Sequence, residues 1–420
     1  MQIFGSIKNK DGSFQFLQNS EELDSLKEKN TYLVAGKKIF IHIDGEISKL
    51  SNRIVDISKE YKFLHEKIAY LYSINFDFEC HICGSFNIFL YDYSSKKLKI
   101  IRDTRGTRSL YFTNTINHFF FSSNQETILS KLKNVTLNKA KLIDFLNWDY
   151  RSNDETYFNE ISRVIPSSYI SYVDETLTCT KYILSKELFS KIEKKGSKEE
   201  FKEFLYHSVE GITRRDKRIG VMMSGGLDSS AIAIALKEKN YKDVKTYSAN
   251  FKHIRKDNSI DEQVYQKNIS DFTLYPHSFI QMEGKSPIKP IQDFTKLLNQ
   301  PILFPNIYIF EEVLKKLESD DIEIILDGSD GDNTVSHGFE VLYEYFINFR
   351  FVKYIKEIYL YSKFVNGNFI KLLNTFNKQA IKKVLKIKNT GSRGSILKNN
   401  LRARKNSKNI ISFFSSHKEK

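Results

Sequence analysis

Residues 218–236 read RIGVMMSGGLDSSAIAIAL, an apolar run followed by a Ser/Gly turn and a segment rich in Ala and Ile. The pattern predicts a strand, a tight loop and a helix in succession. The run that begins at Ile219 and ends at Met223 has no polar interruption, which is typical of a strand buried in a parallel sheet. Gly225 and Gly226 allow the backbone to turn tightly and to approach a ligand closely.

The loop has the chemistry of an anion site. Its N–H groups, with those at the start of a helix beginning near Leu227, converge on one point and favour a negative charge there. The hydroxyls of Ser224, Ser229 and Ser230 add donors. The carboxylate of Asp228 needs a cation before it can lie beside a phosphate, so the loop predicts pyrophosphate together with Mg²⁺.

The segment SGGLDSS at 224–230 differs from the common phosphate loop GxxxxGK[ST], because no lysine precedes the helix. It resembles the pyrophosphate loop of the N-type ATP pyrophosphatases, enzymes that cleave ATP between its α and β phosphates. The alternative is a serine-rich cap in front of an ordinary core helix.

A second motif, LDGSDGDNTVSHG at 326–338, also follows a predicted strand. Gly328 provides a turn that can face a ligand closely. Asp330 and Asp332 place carboxylates where a metal could bridge them to Asp228. A solvated turn, or a chance similarity to a calcium loop, is the alternative.

The order of predicted elements indicates two kinds of fold in one chain. The first 170 residues show short alternating strands with few helices, which favours two packed antiparallel sheets. These strands are predicted over 2–7, 31–35, 38–44, 84–91, 97–102, 109–112 and 119–122. Beyond the first motif, strands alternate with helices, which is typical of a doubly wound α/β domain with ligands at the carboxyl ends of its strands. These elements are predicted as strands over 244–248, 274–280 and 322–326 and as helices over 261–272 and 306–316, and a further helix is predicted before the motif, over 198–211.

The composition of the 420 residues fits two or three domains with ordinary cores, and the net charge is +14. Residues 381–420 contain twelve Lys or Arg and a single acid, which favours a solvated basic tail over a nucleic-acid site. Three cysteines are too few for a disulfide framework, so we expect a reducing cytoplasm. Cys80 and Cys83 lack the further ligands of a zinc site and are predicted to mark a buried strand end. No signal peptide or membrane-spanning run is evident.

Several segments of the N-terminal half resemble, in order and spacing, the glutaminase-type domain of the asparagine synthetases. They are FGSI at 4–7, IDGEI at 43–47, GSFNIFLYD at 84–92, IRDTRGTRSLYF at 101–112, FFFSSNQETIL at 119–129 and RVIPSSYISY at 163–172. With SGGLDSS, the resemblance implies four parts. They are a degenerate glutaminase-like (Ntn) antiparallel β-sandwich at 1–172, a linker at 173–204, an ATP-binding α/β domain at 205–386 and a basic tail at 387–420.

The glutaminase chemistry of the family does not carry over. That chemistry needs an N-terminal cysteine as nucleophile, and position 2 is Gln2. Asp44 occupies the position of the family's glutamine-contacting Asn. Cys83 occupies the position of the family's Asp before Gly-x-Phe. We therefore expect a retained scaffold that makes no ammonia.

The second motif resembles the family's Gly-x-Gly-Gly-Asp-Glu element, in which Gly328 and Asp332 match. The resemblance implies that Mg²⁺ is bound by Asp228 and Asp332. It also implies that ATP and its pyrophosphate are bound by Ser224, Gly225, Gly226, Asp228, Ser229, Ser230, Ser248 and Gly328. The implied activity is that of an AMP-forming C–N ligase, which adenylates a carboxylate and passes the acyl group to an amine.

In the sequence of its motif at 326–338, and in lacking a cysteine at position 2, the chain is most similar to the lasso-peptide macrolactam cyclases of this superfamily. The expected partner is then a precursor peptide, with leader-peptide-binding proteins as further candidates. A small carboxylate substrate remains open, as do a β-lactam-type synthetase and an asparagine synthetase that uses glutamine or free ammonia. Membranes and nucleic acids are not expected as partners.

The family's catalytic lysine has no match here, and the lysines over 382–388 are not distinguished by their spacing. The catalytic residue is therefore left unassigned. One interpretation is a truncated chain, for instance after a frameshift, that binds ATP as a non-enzymatic partner.

Overall fold

The computed structural model describes residues 3–9, 12–18, 21–22, 30–147, 154–183, 197–213, 215–251, 262–302, 304, 306–329, 331 and 340–384. Contacts divide the chain into two compact units. The first comprises Met1–Arg214 with Gly284–Glu312, and the second comprises Arg215–Glu283 with Val313–Lys420.

The first unit is built on antiparallel strands that form two six-stranded sheets. The strands are β1 (Ile3–Lys8), β2 (Phe14–Gln18), β3 (Glu21–Glu22), β4 (Thr31–Val34), β5 (Lys37–Leu50), β6 (Ile82–Asp92), β7 (Lys97–Arg102), β8 (Tyr111–Asn114), β9 (His118–Ser122), β10 (Ser162–Arg163), β11 (Ser168–Val173) and β12 (Thr176–Lys181). The order is β10-β8-β9-β1-β2-β3 in one sheet and β12-β11-β7-β6-β5-β4 in the other. Helices of this unit are α1 (Asn52–Ile57), α2 (Leu64–Ser73), α3 (Gln125–Leu129), α4 (Lys139–Leu146) and α5 (Lys198–Ile212).

Strand β6 shows why the second sheet is covered on both faces. Its Phe89 and Tyr91 belong to the core shared with the first sheet, where Phe16 and Phe121 are buried. The intervening Leu90, together with Ile88 and Phe86, belongs to a separate core. Because successive side chains of a strand point to opposite faces, a strand with two apolar faces must be packed on both.

Helices α1 and α2 provide the packing on the outer face of the second sheet. Ile54 of α1 and Ile68 and Leu71 of α2 are fully buried in the same cluster as Ile88. Ser51 caps α1 by accepting a hydrogen bond from the N–H of Ile54. The first unit therefore has its two sheets face to face, with helices outside the second one.

The second unit is built on a parallel four-stranded sheet of order β15-β14-β13-β16. Its strands are β13 (Ile219–Met222), β14 (Val244–Asn250), β15 (His277–Gln281) and β16 (Ile324–Asp327). The remaining helices of the chain are α6 (Leu227–Glu238), α7 (Gln263–Thr273), α8 (Ile288–Leu298), α9 (Ile307–Ser319), α10 (Glu340–Ile347), α11 (Phe351–Phe364) and α12 (Phe369–Val384). By the division into units, α8 belongs to the first and α9 continues from the first into the second.

The predicted fold class is confirmed, with antiparallel sheets in the N-terminal part and a parallel sheet with helices after it. The predicted strand over 274–280 starts later, at His277. Leu274 ends α7 in the left-handed conformation, with φ of 62°, and its N–H donates to the carbonyl of Ser270. A residue that closes a helix in this way cannot also begin a strand.

Several elements were not predicted. The segment 173–204, expected to be a linker, begins with β12, which pairs with β11. Helices α2 and α8 and strand β2 were also missed. Cys80 and Cys83 were expected at a buried strand end, but both are exposed, so that prediction was wrong. Cys83 is the second residue of β6 and follows the buried Ile82, and because successive side chains of a strand point to opposite faces, its own side chain faces solvent.

The boundaries at 172, 204 and 386 stay a prediction. The basic tail at 387–420 lies outside the described residues. Within the described part of the chain, no helix combines the length and the apolar character needed to cross a membrane.

Candidate nucleotide-binding site

The order of the parallel sheet brings the two sequence motifs together. Strand β13 lies between β14 and β16, and Met222 at its end is in register with Tyr247 on one side and Asp327 on the other. Because the strands are parallel, their carboxyl ends meet at one edge of the sheet. The loop after β13, which carries SGGLDSS, therefore lies beside the loop after β16.

The loop after β13 has a well-defined conformation. Gly225 has φ of +92°, in the region that side chains other than glycine rarely adopt. The Oγ of Ser224 accepts the N–H of Gly226 at 3.2 Å, and the N–H of Ser224 donates to the Oγ of Ser229 at 3.3 Å. These hydrogen bonds close the loop on itself, while Ser224 and Gly226 remain exposed to an incoming ligand.

Helix α6 begins directly at the loop and adds its own donors. Its N-cap is Gly226, which has no side chain to satisfy the first N–H groups of the helix. Those groups, at the positive end of the helix dipole, are suited to a phosphate. The predicted strand, loop and helix are thus all present.

The loop after β16 packs tightly on the first turn of α6. A Cβ on Gly328 would lie 2.6 Å from the backbone N of Ser229, and a Cβ on Gly331 would lie 2.1 Å from Cγ of Asp228. Only glycine allows these approaches. The carboxylate of Asp228 is consequently in contact with the backbone one residue before Asp332.

The two other serines of the motif and Ser248 are mostly buried. Ser229 is 3% exposed, Ser230 is 7% exposed, and the N–H of Ser230 donates to the carbonyl of Gly226. The hydroxyl of Ser248 donates to the carbonyl of Met223. In this structure these serines stabilise the loop, and their contact with a nucleotide stays a prediction.

Asp332, Asp330 and Asn333 lie outside the described residues. Within the described ranges no group of three or more His, Cys, Asp or Glu side chains could hold a metal ion. Asp228 by itself supplies one carboxylate, the ligand type that Mg²⁺ prefers, in contact with Gly331 directly before Asp332. Binding of Mg²⁺ by Asp228 and Asp332 remains a prediction.

One residue near the loop was not predicted. Gln266 of α7 is 5% exposed, and its Nε2 donates to the carbonyl of Ser224 at 2.9 Å. A Cβ on Gly225 would lie 3.2 Å from Cγ of Gln266 and 3.1 Å from the carbonyl oxygen of Glu262. No local pattern marks Gln266, since it is one polar residue among several on an amphipathic helix.

In the first unit, Asp44, which by the resemblance stands at a glutamine-contacting position of the family, forms an ion pair with Arg108. Asp44, which is 2% exposed, accepts a hydrogen bond from Arg108 at 2.9 Å and a weaker one from Asn87 at 3.4 Å. Gly45 has φ of +115°, and a Cβ there would lie 2.5 Å from Nε of Arg108. The carboxylate that replaces an Asn in the family pattern thus has a cation from its own chain.

The loop carrying Arg108 is fixed by its neighbours. The carboxylate of Asp103 accepts the N–H groups of Arg105, Gly106 and Thr107 at 2.9 to 3.0 Å. The guanidinium of Arg102 donates to three backbone carbonyls, of which that of Arg108 is 2.9 Å away. The segment at 101–112 therefore has a structural role in this unit.

Comparison with known proteins agrees with both parts of the structure. A sequence model of the glutamine amidotransferase domain matches residues 75–183, and one of the asparagine synthase family matches residues 200–406. The chain belongs to the asparagine synthetase superfamily.

The relatives are glutamine-hydrolysing asparagine synthetases. The protein of Rattus norvegicus is 28% identical over 191 residues, which is 42% of this chain and 34% of that protein. Asparagine synthetase 1 of Bacillus subtilis (strain 168) is 25% identical over 171 residues, which is 40% of this chain and 27% of that protein. A putative asparagine synthetase 2 of Methanocaldococcus jannaschii is 25% identical over 64% of this chain and 52% of that protein. The chain thus matches only about a third of the length of the first relatives.

Proposed function

We propose that this protein is an ATP-dependent amide-bond ligase that adenylates a carboxylate, releases pyrophosphate and transfers the acyl group to an amine. The observation that carries the proposal is the contact of Asp228 with Gly331 at the start of α6. This contact brings the loop and the Asp228 carboxylate of the first motif together with the aspartate-containing loop of the second motif, at 326–338. The membership in the asparagine synthetase superfamily supports the same chemistry.

Each part of the site has a role in this reaction. The N–H groups at the start of α6 bind the phosphates, and the turn at Gly225 lets the backbone approach them. Asp228 and Asp332 would hold Mg²⁺, which when bound stabilises negative charge on the phosphate oxygens. Such fixed donors lower the barrier because they are already oriented before charge develops on the leaving group.

For the specific substrate, we propose the closure of a macrolactam in a precursor peptide, as in the lasso-peptide cyclases. Two features support an amine that comes from the substrate itself. Position 2 of the sequence is Gln2, where the resemblance would place the cysteine of the family's glutaminase. The pocket position at Asp44 has its charge paired with Arg108. The motif at 326–338 also resembles the cyclases more closely than the asparagine synthetases.

The test is a pyrophosphate-release and mass-spectrometric assay of the full chain with ATP and Mg²⁺. One arm contains candidate precursor peptides, and others contain aspartate with ammonia or with glutamine. We expect pyrophosphate and a peptide lighter by the mass of one water. Asp228→Ala and Asp332→Ala should abolish both products. Asp271→Ala, an exposed carboxylate on α7, serves as the matched control and should remain active.

The other outcomes identify the alternatives. Asparagine formed from aspartate and ammonia would show an ammonia-dependent asparagine synthetase and would contradict the macrolactam proposal. The superfamily membership favours this as the second candidate. ATP binding without AMP or pyrophosphate in any arm would contradict the ligase proposal and point to a non-enzymatic partner.

A further inference from the structure

We infer that Gln266 is a positioning residue for the pyrophosphate loop, acting through the peptide bond between Ser224 and Gly225. The inference rests on the proposed function, because it assumes that the loop binds phosphates. Gln266 belongs to neither sequence motif and lies 40 residues after Gly226 in the chain. Its role arises from the packing of α7 against the loop.

The hydrogen bond of Gln266 determines how one peptide plane is oriented. Its Nε2 donates to the carbonyl oxygen of Ser224 at 2.9 Å. In a planar trans peptide the C=O and the following N–H point in opposite directions. Fixing the carbonyl of Ser224 towards α7 therefore directs the N–H of Gly225 away from α7.

The hydrogen bond from Gln266 acts next to Gly225, the most flexible residue of the loop. Gly225 has φ of +92°, and a glycine in this conformation can change to several others at little energetic cost. The neighbouring N–H of Gly226 is already used by the Oγ of Ser224. An external hydrogen bond to the Ser224 carbonyl is thus the contact that selects one of the conformations open to Gly225.

Two further observations concern the surroundings of Gln266 at the loop. It is 5% exposed, and its Oε1 is buried without a hydrogen-bond partner among the described residues. A buried acceptor of this kind is costly without a donor, which a water molecule can supply and a phosphate cannot. In addition, α7 begins beside Gly225, with the Glu262 carbonyl 3.1 Å from the position of a Gly225 Cβ. The N-termini of α6 and α7 therefore both lie at the loop, and their dipoles favour an anion there.

The test compares the wild-type chain with Gln266→Met, which has similar volume but cannot donate to Ser224. Lys267→Met, an exposed change at the next position of α7, is the matched control. Binding of inorganic pyrophosphate, ATP and adenosine is measured by calorimetry with Mg²⁺. We expect Gln266→Met to lower the affinity for pyrophosphate and for ATP by about tenfold, as for the loss of one hydrogen bond. The affinity for adenosine should fall by less than about twofold. If Gln266 had a purely structural role, its replacement would lower the affinity for all three ligands alike.

Amide hydrogen exchange without ligand provides a second measurement, independent of nucleotide binding. The N–H groups of Ser224 and Gly226, which are hydrogen-bonded within the loop, should exchange faster in Gln266→Met and at the wild-type rate in Lys267→Met. Gln266→Glu fills the same space, and its carboxylate should repel both the Ser224 carbonyl and a phosphate, so it should bind pyrophosphate more weakly still.

Unchanged pyrophosphate affinity and unchanged exchange in Gln266→Met would overturn the role of Gln266 alone. If the wild-type chain bound neither pyrophosphate nor ATP, the proposed function would fail. An altered exchange rate would then still show that Gln266 fixes the loop.

Discussion

The carboxylate of Asp228 lies against the backbone of Gly331, so closely that a Cβ on Gly331 would be 2.3 Å from Oδ2 and 2.6 Å from Oδ1. Asp228 belongs to the first turn of α6 and Gly331 to the loop after β16. Their contact defines where the two motifs of the proposed site meet.

Replacing Gly331 by Ala should therefore displace the Asp228 carboxylate. We expect the affinity for Mg²⁺–ATP to fall by about tenfold or more, because the added methyl group occupies the place of a proposed metal ligand. Calorimetric titration with ATP, with and without Mg²⁺, measures the effect. Gly211→Ala is the control, since a Cβ at Gly211 meets nothing within 4 Å. Unaltered ATP affinity in Gly331→Ala would contradict the metal role of Asp228.

The ion pair in the first unit should matter for stability. Asp44 is 3% exposed in its side chain, whereas Arg108 is 41% exposed. Arg108→Met leaves a buried carboxylate without its cation and should lower the free energy of unfolding by about 2 kcal/mol, less than for a fully buried pair because Arg108 is partly solvated. Urea denaturation of the full chain measures the change.

The double variant Asp44→Asn/Arg108→Met separates charge from packing. Since Asn carries no charge, it should recover part of the loss seen in Arg108→Met. Arg105→Met changes an exposed arginine of the same loop and should leave stability within about 0.5 kcal/mol of wild type. Equal effects of Arg105→Met and Arg108→Met would show that the pair is not important for stability.

A buried histidine should make the stability of the first unit depend on pH. Burial, with a smaller contribution from His65, lowers the pKa of His42 to about 4. The unfolded chain then binds more protons than the folded chain between about pH 4 and pH 6.5, so stability rises with pH across this range. The contribution of His42 amounts to about 3 kcal/mol and is lost as the pH falls.

His42→Phe provides the test, because the ring of His42 already packs beside those of Phe16 and Phe89, with centroids 5.0 and 6.2 Å away. The free energy of unfolding of the variant should depend less steeply on pH between pH 4.5 and pH 6.5. Part of the slope should remain, since burial also lowers the pKa of His65. The same slope in wild type and variant would be evidence against a neutral buried His42.

Glutamine should not serve as nitrogen donor. The family's reaction requires a cysteine at the start of the chain, and Gln2 offers no nucleophile. We expect no glutamate from glutamine, with or without ATP, when amino acids are analysed by chromatography. Release of glutamate that depends on this protein would contradict a degenerate glutaminase unit.

What the sequence determined by itself is mostly local. The pattern over 218–236 predicts β13, the loop and α6, because a glycine turn, a helix N-terminus and a buried strand each depend on neighbouring residues. The alternating apolar residues likewise predict most strands of the first unit. Strand β12 was missed because, exposed along nearly its whole length at the edge of its sheet, it shows no apolar face.

The tertiary structure decided which distant residues meet. Asp228 contacts Gly331 because β16 pairs with β13, and no local pattern specifies the order of strands in a sheet. Gln266 reaches Ser224 only because α7 packs on the loop, and Arg108 pairs with Asp44 across 64 residues of chain. Such contacts depend on the packing of whole elements, whose free energy is distributed over many residues. The sequence therefore indicated the loop that we propose binds phosphate, and the fold showed what holds that loop in place.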